Sequence, residues 1–201
     1  VKHSPFLIVA ALLIATSSLS GCAGMIIGAG ATAGVAAAEE RGFEGALEDT
    51  KIRTEINDLW FRHDVEMYRK ATLTINEGRV MLTGVVLSEQ ARADAVRLSW
   101  QAGGVREVYN ELQVRPEGSD LIDGGRDVWI QQELKTRLMF DKEIRNINYT
   151  VDVTDGVIYL MGLAQHEDEL QRVLAHAREI SHVKGVISHV RLKTDPRRNR
   201  G

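Results

Sequence analysis

Apolar and polar positions alternate in two short pairs of runs along this chain. The first pair is Leu73-Thr74-Ile75 and Val80-Met81-Leu82, separated by Asn76-Glu77-Gly78. The second is Val151-Asp152-Val153 and Ile158-Tyr159-Leu160, separated by Thr154-Asp155-Gly156. A period of two with Val80/Leu82 or Ile158/Leu160 on one face predicts half-buried strands, and a glycine at the turn supplies the positive φ of a tight β-hairpin. Gly84 and Gly162 follow each second run, where a glycine marks close packing or a bend that ends the strand.

The two hairpins are copies. At an offset of 78 residues Ile52 meets Ile130, Glu55 meets Glu133, Glu89 meets Glu167, Val105 meets Val183 and Val108 meets Val186. The register needs no gap from Asp49/Asp127 to Val114/Leu192, so the chain carries one small module twice. Helical spacing of Ile52, Ile56 and Leu59/Trp60 predicts a helix over 46–61, with Asp49-Thr50 as its start signal. After the hairpin, Ser88 caps a second helix with Glu89 in its first turn, and Gly103-Gly104 stops it. Val108 to Val114 alternates as a third strand. The second module repeats the order: a helix near 127–140 with Ile130, Leu134 and Leu138 inward, a hairpin over 148–161, a helix near 166–181 with Leu170, Val173, Leu174 and Ala177 on one side, and a strand over 185–192.

This places a first module at 46–115, a breaker-rich linker at 116–125, a second module at 126–194 and a disordered basic tail at 195–201. Each module is expected as an α+β unit, with two helices on one face of a three-stranded mixed sheet in the order α-β-β-α-β, because a lone hairpin cannot cover its apolar side.

Composition removes several functions. The 201 residues are 44% hydrophobic and 26% charged with net charge −3, which suits two small globular units and gives no argument for a nucleic-acid partner. Aromatics at 5% make a base-stacking platform improbable. The single cysteine, Cys22, allows neither an intrachain disulfide nor a cysteine zinc cluster. No P-loop or Gly-x-Ser-x-Gly elbow is present. His176, His182 and His189 do not share one face at metal-ligand spacing, so no metal and no cofactor are expected. The Glu167-Asp168-Glu169 run at a helix start is explained by the helix dipole.

The first residues read differently. Lys2 and His3 precede an apolar run from Phe6 to Ala15 and small residues up to Cys22, the layout of a secretory signal peptide over 1–21. Leu19-Ser20-Gly21-Cys22 resembles the bacterial lipobox, which implies cleavage before Cys22 and acylation of its sulfur and new amine. An uncleaved anchor, or an ordinary signal peptide with a chance cysteine, is the alternative. Ala23 after the cysteine, where an aspartate would favour the inner membrane, implies the outer membrane. Residues 22–45 are then a Gly/Ala-rich tether, or a close-packed membrane helix on the Gly24/Gly28 and Gly30/Gly34 spacing. A dinucleotide loop at Gly28–Gly34 lacks its preceding strand.

Together these residues resemble the BON domain: a helix, a hairpin with Gly156-Val157-Ile158-Tyr159-Leu160-Met161-Gly162 as its second strand, a helix, the turn Val183-Lys184-Gly185-Val186 and a last strand. Val105-Arg106-Glu107-Val108 is the first module's counterpart, without the glycine. Two such modules behind a lipobox are similar to the dual-BON outer-membrane lipoproteins. The resemblance implies modules facing the periplasm, binding to phospholipid membrane surfaces, support of outer-membrane integrity and no catalysis. The rival reading is a structural adaptor for envelope proteins or cell-wall components.

Within the second module Trp129 is displaced by about 100° from Ile130 on its helix. It is expected at or outside the margin of the buried stripe, facing either a membrane or the other module. Arg126, Lys135, Arg137 and Lys142 surround it and suit lipid phosphates, anionic lipid above all. Trp60 and Trp100 read as core or core-edge residues.

Overall fold

The computed structural model describes residues 38–116 and 124–199. The first module runs α1 (Gly42–His63), α2 (Val65–Lys70), β1 (Ala71–Asn76), β2 (Arg79–Val86), α3 (Glu89–Ser99), β3 (Glu107–Asn110) and β4 (Gln113–Val114). The second runs α4 (Gly124–Phe140), a 3-10 turn at Asn146–Asn148, β5 (Tyr149–Thr154), β6 (Val157–Ala164), α5 (Glu167–Arg178), β7 (Gly185–Leu192) and a 3-10 turn at Pro196–Asn199. In each module the hairpin is antiparallel, with Leu73 opposite Leu82 and Val151 opposite Leu160. The last strand joins the second hairpin strand in parallel.

The inward faces are those of the periodicity. Val80 and Leu82 pack with Ile52, Ile56, Trp60 and Ala95, and Ile158 and Leu160 with Ile130, Leu134, Leu138, Val173 and Ala177. Trp60 is 1% exposed and its indole N–H donates to the Ala95 carbonyl at 3.1 Å, so the ring's one polar atom is satisfied inside the core. Ser88 Oγ accepts from Ala91 N at 3.1 Å as an N-cap, and His166 Nδ1 does the same for Glu169 N at 3.2 Å.

Several sequence expectations change. The first helix starts at Gly42, within the stretch assigned to the tether, and Asp49 lies inside it. Asp49 is buried because its carboxylate accepts the backbone N–H groups of Glu77 and Gly78 at 3.0 and 2.9 Å. Asp127 holds Asp155 and Gly156 in the same way, both at 2.7 Å. Each repeated aspartate therefore pins its module's hairpin turn to its first helix. Both central turn residues are left-handed, as a type I′ hairpin requires. Gly84 and Gly162 pack closely, but neither ends its strand, which runs on to Val86 or Ala164. The predicted strand Val108–Val114 is split at Glu111-Leu112, since Leu112 turns into the core. Trp100 caps α3 half-exposed, outside the core.

The largest difference concerns the second faces of the sheets. Met81, Tyr159 and Met161 alternate with the helix-facing residues, and they too are buried, packed in one cluster with Tyr109, Val157 and Ile187. The two sheets stack face to face, which makes the chain a four-layer α/β/β/α sandwich. The seam is polar at its edges: Thr83 donates to the Asp152 carboxylate, Arg191 pairs with Glu107, and Arg115 with Asp155. Burial pushes the Asp152 carboxyl up from its ordinary range. The ring of His189 stacks on Tyr109 at 4.0 Å, and its Nε2 lies 2.9 Å from Glu111. The tail is ordered as far as Asn199, because Arg198 reaches across to Glu77 at 2.6 Å.

Candidate lipid-surface site

Helix α4 is the only first helix of a module with a tryptophan next to its buried stripe, and the packing fixes which side of it meets solvent. Ile130, Leu134 and Leu138 are buried, which turns Trp129 outward at 49% exposure. Its ring stands in a T-shaped arrangement with that of His182, 6.5 Å away between centroids, and it lies on the opposite layer from the inter-module seam. His182 holds a left-handed φ of 68°, where the first module uses Gly104.

Three further apolar residues of α4 share that outward side. Phe140, eleven residues on, returns to within about 20° of Trp129 and lies about 16 Å along the axis. Val128, Met139 and Phe140 are 58%, 58% and 74% exposed. The sequence reading missed them, although the helical spacing that placed Trp129 outside the stripe places them there too. The first module has Thr50, Lys51, Phe61 and Arg62 at the corresponding positions, so only the second module carries the full ridge.

The cations that the sequence grouped around Trp129 fall on both flanks of the ridge. Arg126 is exposed in the first turn of α4. Lys135 and Lys142 are exposed, with no ion pair among the described residues. Arg137 is partly engaged by Glu133 at 2.8 Å and Glu179 at 3.7 Å. Beyond the C-terminal end of α4 lies a shallow depression of about 650 Å3, lined by Phe140, by the cations Arg137, Lys142 and Arg172 with His176, and by the carboxylates Asp141, Glu143 and Glu179. At its floor His176 and Arg172 hold Asp141 at 2.8 and 3.0 Å, and these hydrogen bonds hold its carboxyl down to about 2. Arginine and lysine headgroups beside exposed rings match the chemistry of a phospholipid interface.

The rest of the expected chemistry takes structural roles. Glu169 is buried, accepting from Arg145 N and Gln165 N at 2.8 and 2.6 Å, while Glu167 and Asp168 are exposed. Among the described residues no group of three or more His, Cys, Asp or Glu is placed to hold a metal ion, and no helix is long and apolar enough to cross a membrane. The Arg-rich tail does not add freely to a membrane face, since Arg198 is 17% exposed in its pair with Glu77 and Arg197 is tied to Asp195. Cys22, with the signal-peptide and lipobox assignment, lies outside the described residues.

Comparison with known proteins agrees with this architecture. The chain is 37% identical over 147 residues to an uncharacterized protein in the gshII 5′ region of Anaplasma centrale, covering 73% of this chain and 96% of that one. It is 30% identical over 188 residues to the outer membrane lipoprotein DolP of Haemophilus influenzae, covering 92% and 95%. It is 24% identical over 148 residues to the osmotically-inducible protein Y of Escherichia coli, covering 73% and 74%. The BON domain model matches residues 48–116 and again residues 126–194, so the duplicated helix-and-hairpin module is the BON domain and the chain belongs to that family.

Proposed function

We propose that this chain is a non-catalytic, lipid-anchored protein of the outer membrane. In this reading its modules face the periplasm, and the second rests on a phospholipid surface through the outward side of α4. The observation that carries the reading is the exposed ridge of Val128, Trp129, Met139 and Phe140 between Lys135 on one flank and Arg126 and Arg137 on the other. Anchorage at Cys22 rests on the lipobox, and an outer-membrane lipoprotein among the relatives supports it.

The path of the chain favours the same module. Residues arriving from the anchor meet the second module before entering α1: Arg145 donates to the Ala38 carbonyl at 3.1 Å, and Glu40 pairs with Lys193 at 3.0 Å. The fifteen residues between Cys22 and Ala38, sixteen steps of the backbone, span at most about 55 Å. That is long enough for α4 to reach the bilayer that holds the anchor and short enough to keep the local concentration high.

Inserted rings contribute about 1–2 kcal/mol each by apolar area, and each basic residue near an anionic surface about 1 kcal/mol, weakened by salt. An acyl-free chain starting at Ala38 should therefore bind anionic vesicles weakly and in a salt-dependent way. Trp129→Ala with Phe140→Ala should reduce that binding at least tenfold while leaving the melting temperature nearly unchanged, since both side chains are exposed. Vesicle partition equal to that of the parent chain would remove α4 from the membrane. Cys22→Ser should leave an unprocessed precursor, and mature-sized, membrane-partitioning protein from that variant would refute the anchor.

The adaptor reading has one feature in its favour. Phe61, Val65 and Tyr68 are exposed at the α1–α2 corner, with Phe61 edge-on to Tyr68 at 5.5 Å. Absence of vesicle binding together with crosslinking of an envelope protein through this corner would favour it.

A further inference from the structure

The stacked sheets create a cleft at one end of the seam, distinct from the α4 surface. Glu77, Arg106 and Glu107 of the first module and Arg191, Arg197 and Arg198 of the second line it, enclosing about 180 Å3. Four guanidinium groups thus face two carboxylates in the lining, both already engaged, and Asp195 just outside it engages Arg197. Glu77 is held by Arg198 at 2.6 Å, and Glu107 by Arg191. Arg106 is exposed, and its side chain has no hydrogen bond or ion pair among the described residues. Arg197 is 57% exposed; Asp195 forks its Nε and Nη2 at 2.6–3.1 Å, which leaves Nη1 without a hydrogen bond among the described residues.

A further positive charge lies behind the cleft. Arg79 is 1% exposed, and its guanidinium meets neutral groups, among them the His189 carbonyl at 2.8 Å, Asn76 Oδ1 at 2.7 Å, the Gly162 carbonyl at 3.1 Å and the Tyr109 hydroxyl. Its Nε has no partner. The charges it senses include Arg191 and Glu77, both of which line the cleft. A buried guanidinium without a carboxylate is costly, and an anion nearby offsets the cost.

The repeat supplies an internal control. Lys184 is the second module's counterpart of Arg106, and Asp155 is the counterpart of Glu77. There the lysine is neutralised by its own module's aspartate at 2.7 Å, and Arg115 from the first module pairs with the same carboxylate. On the opposite side of the molecule Arg198 takes Glu77 away, and Arg106 is left without its local partner. Each end sets two cations against one carboxylate, but at this end one of them, Arg106, stands outside the contact, and the buried Arg79 adds a further positive charge.

We propose that this cleft binds a phosphate-bearing anion, held by Arg106 of the first module and Arg197 of the second. Guanidinium forks match phosphate oxygens in pairs. The volume lies below the roughly 300–1,000 Å3 of sites for drug-sized ligands, which restricts the occupant to a phosphate with a small substituent. Both a free phosphate ester and a phospholipid headgroup offer that group. Because the two arginines come from different modules, the bound anion fastens the sheets together at this end.

The test uses the full chain in non-ionic maltoside micelles, with inorganic phosphate titrated at constant ionic strength against chloride. Phosphate should bind calorimetrically and raise the melting temperature above that in chloride. Arg106→Gln with Arg197→Gln should weaken binding by about tenfold or more and cancel that difference, leaving only the general salting-out effect of phosphate. Both side chains are exposed enough that the variant's melting temperature in chloride should match the parent's. Adding glycerol 3-phosphate, or instead doping the micelles with phosphatidylglycerol, identifies the source: displacement of phosphate by the first alone assigns a soluble ester, and by the second a lipid headgroup. Phosphate binding that is absent, or that survives the double substitution unchanged, would overturn the proposal.

Discussion

Leu160→Asp should abolish the native unfolding transition of the second module, with a loss of more than about 4 kcal/mol. Leu160 is 0% exposed, on the face of β6 that packs against Ile130, Leu134 and Val173. A carboxylate there has neither water nor a cation, and its neighbours are all apolar. Leu82→Asp places the same group in the equivalent site of the first module, where exposure is also 0%. The stacked sheets extend the consequence beyond one module. Loss of β6 uncovers Met81 and Tyr109 on the partner sheet and leaves Arg79 without the Gly162 carbonyl, so the first module should also melt earlier. Leu160→Met keeps volume and polarity and should cost less than about 1.5 kcal/mol. Urea unfolding followed by tryptophan fluorescence separates these outcomes. A Leu160→Asp chain with the parent midpoint would mean that Leu160 is buried on neither face of β6.

Gly162→Ala should cost about 3 kcal/mol or more for the addition of a single methyl group. Gly162 has φ +142, a conformation that residues with a Cβ rarely adopt. A methyl there would fall well inside contact of the Asn148 carbonyl oxygen and 3.0 Å from its carbon. Both obstacles are backbone, so no rotamer change relieves them. Gly84 meets the Lys70 carbonyl in the same way, with φ +102. Gly124→Ala is the matched control: no atom of the described residues lies within 4 Å of its added carbon, and it opens helix α4. That change should be neutral or slightly stabilising through the unfolded chain. Equal melting temperatures for the two variants would show that β6 and the turn before β5 do not cross as closely as described.

The sequence by itself determined the duplicated module, its element order and its helix-facing core. Val80, Leu82, Ile158 and Leu160 repeat with period two, and Ile130, Leu134 and Leu138 recur at helical spacing; such patterns are set by local backbone geometry. The same reasoning put Trp129 outside the buried stripe of α4. Extending it to Phe140 required knowing that no other layer covers that side, which is a tertiary fact.

The remaining features depend on contacts between residues far apart in the chain. Asp49 read as a start signal because its partners, the turn amides of Glu77 and Gly78, lie 28 and 29 residues away. The tail read as disordered because the carboxylate that orders Arg198 belongs to Glu77 in the other module. The alternation in β2 marked one face as apolar and the other as mixed, which is equally the pattern of a solvated face. Only the stacking of the sheets buries Met81, Arg79 and Thr83, because their polar groups find acceptors on β5, β6 and β7 once the modules meet. Hydrophobic period records the environment of a strand within its own module, whereas the burial of a mixed face is decided by whether a complementary surface elsewhere in the fold satisfies its charges and donors.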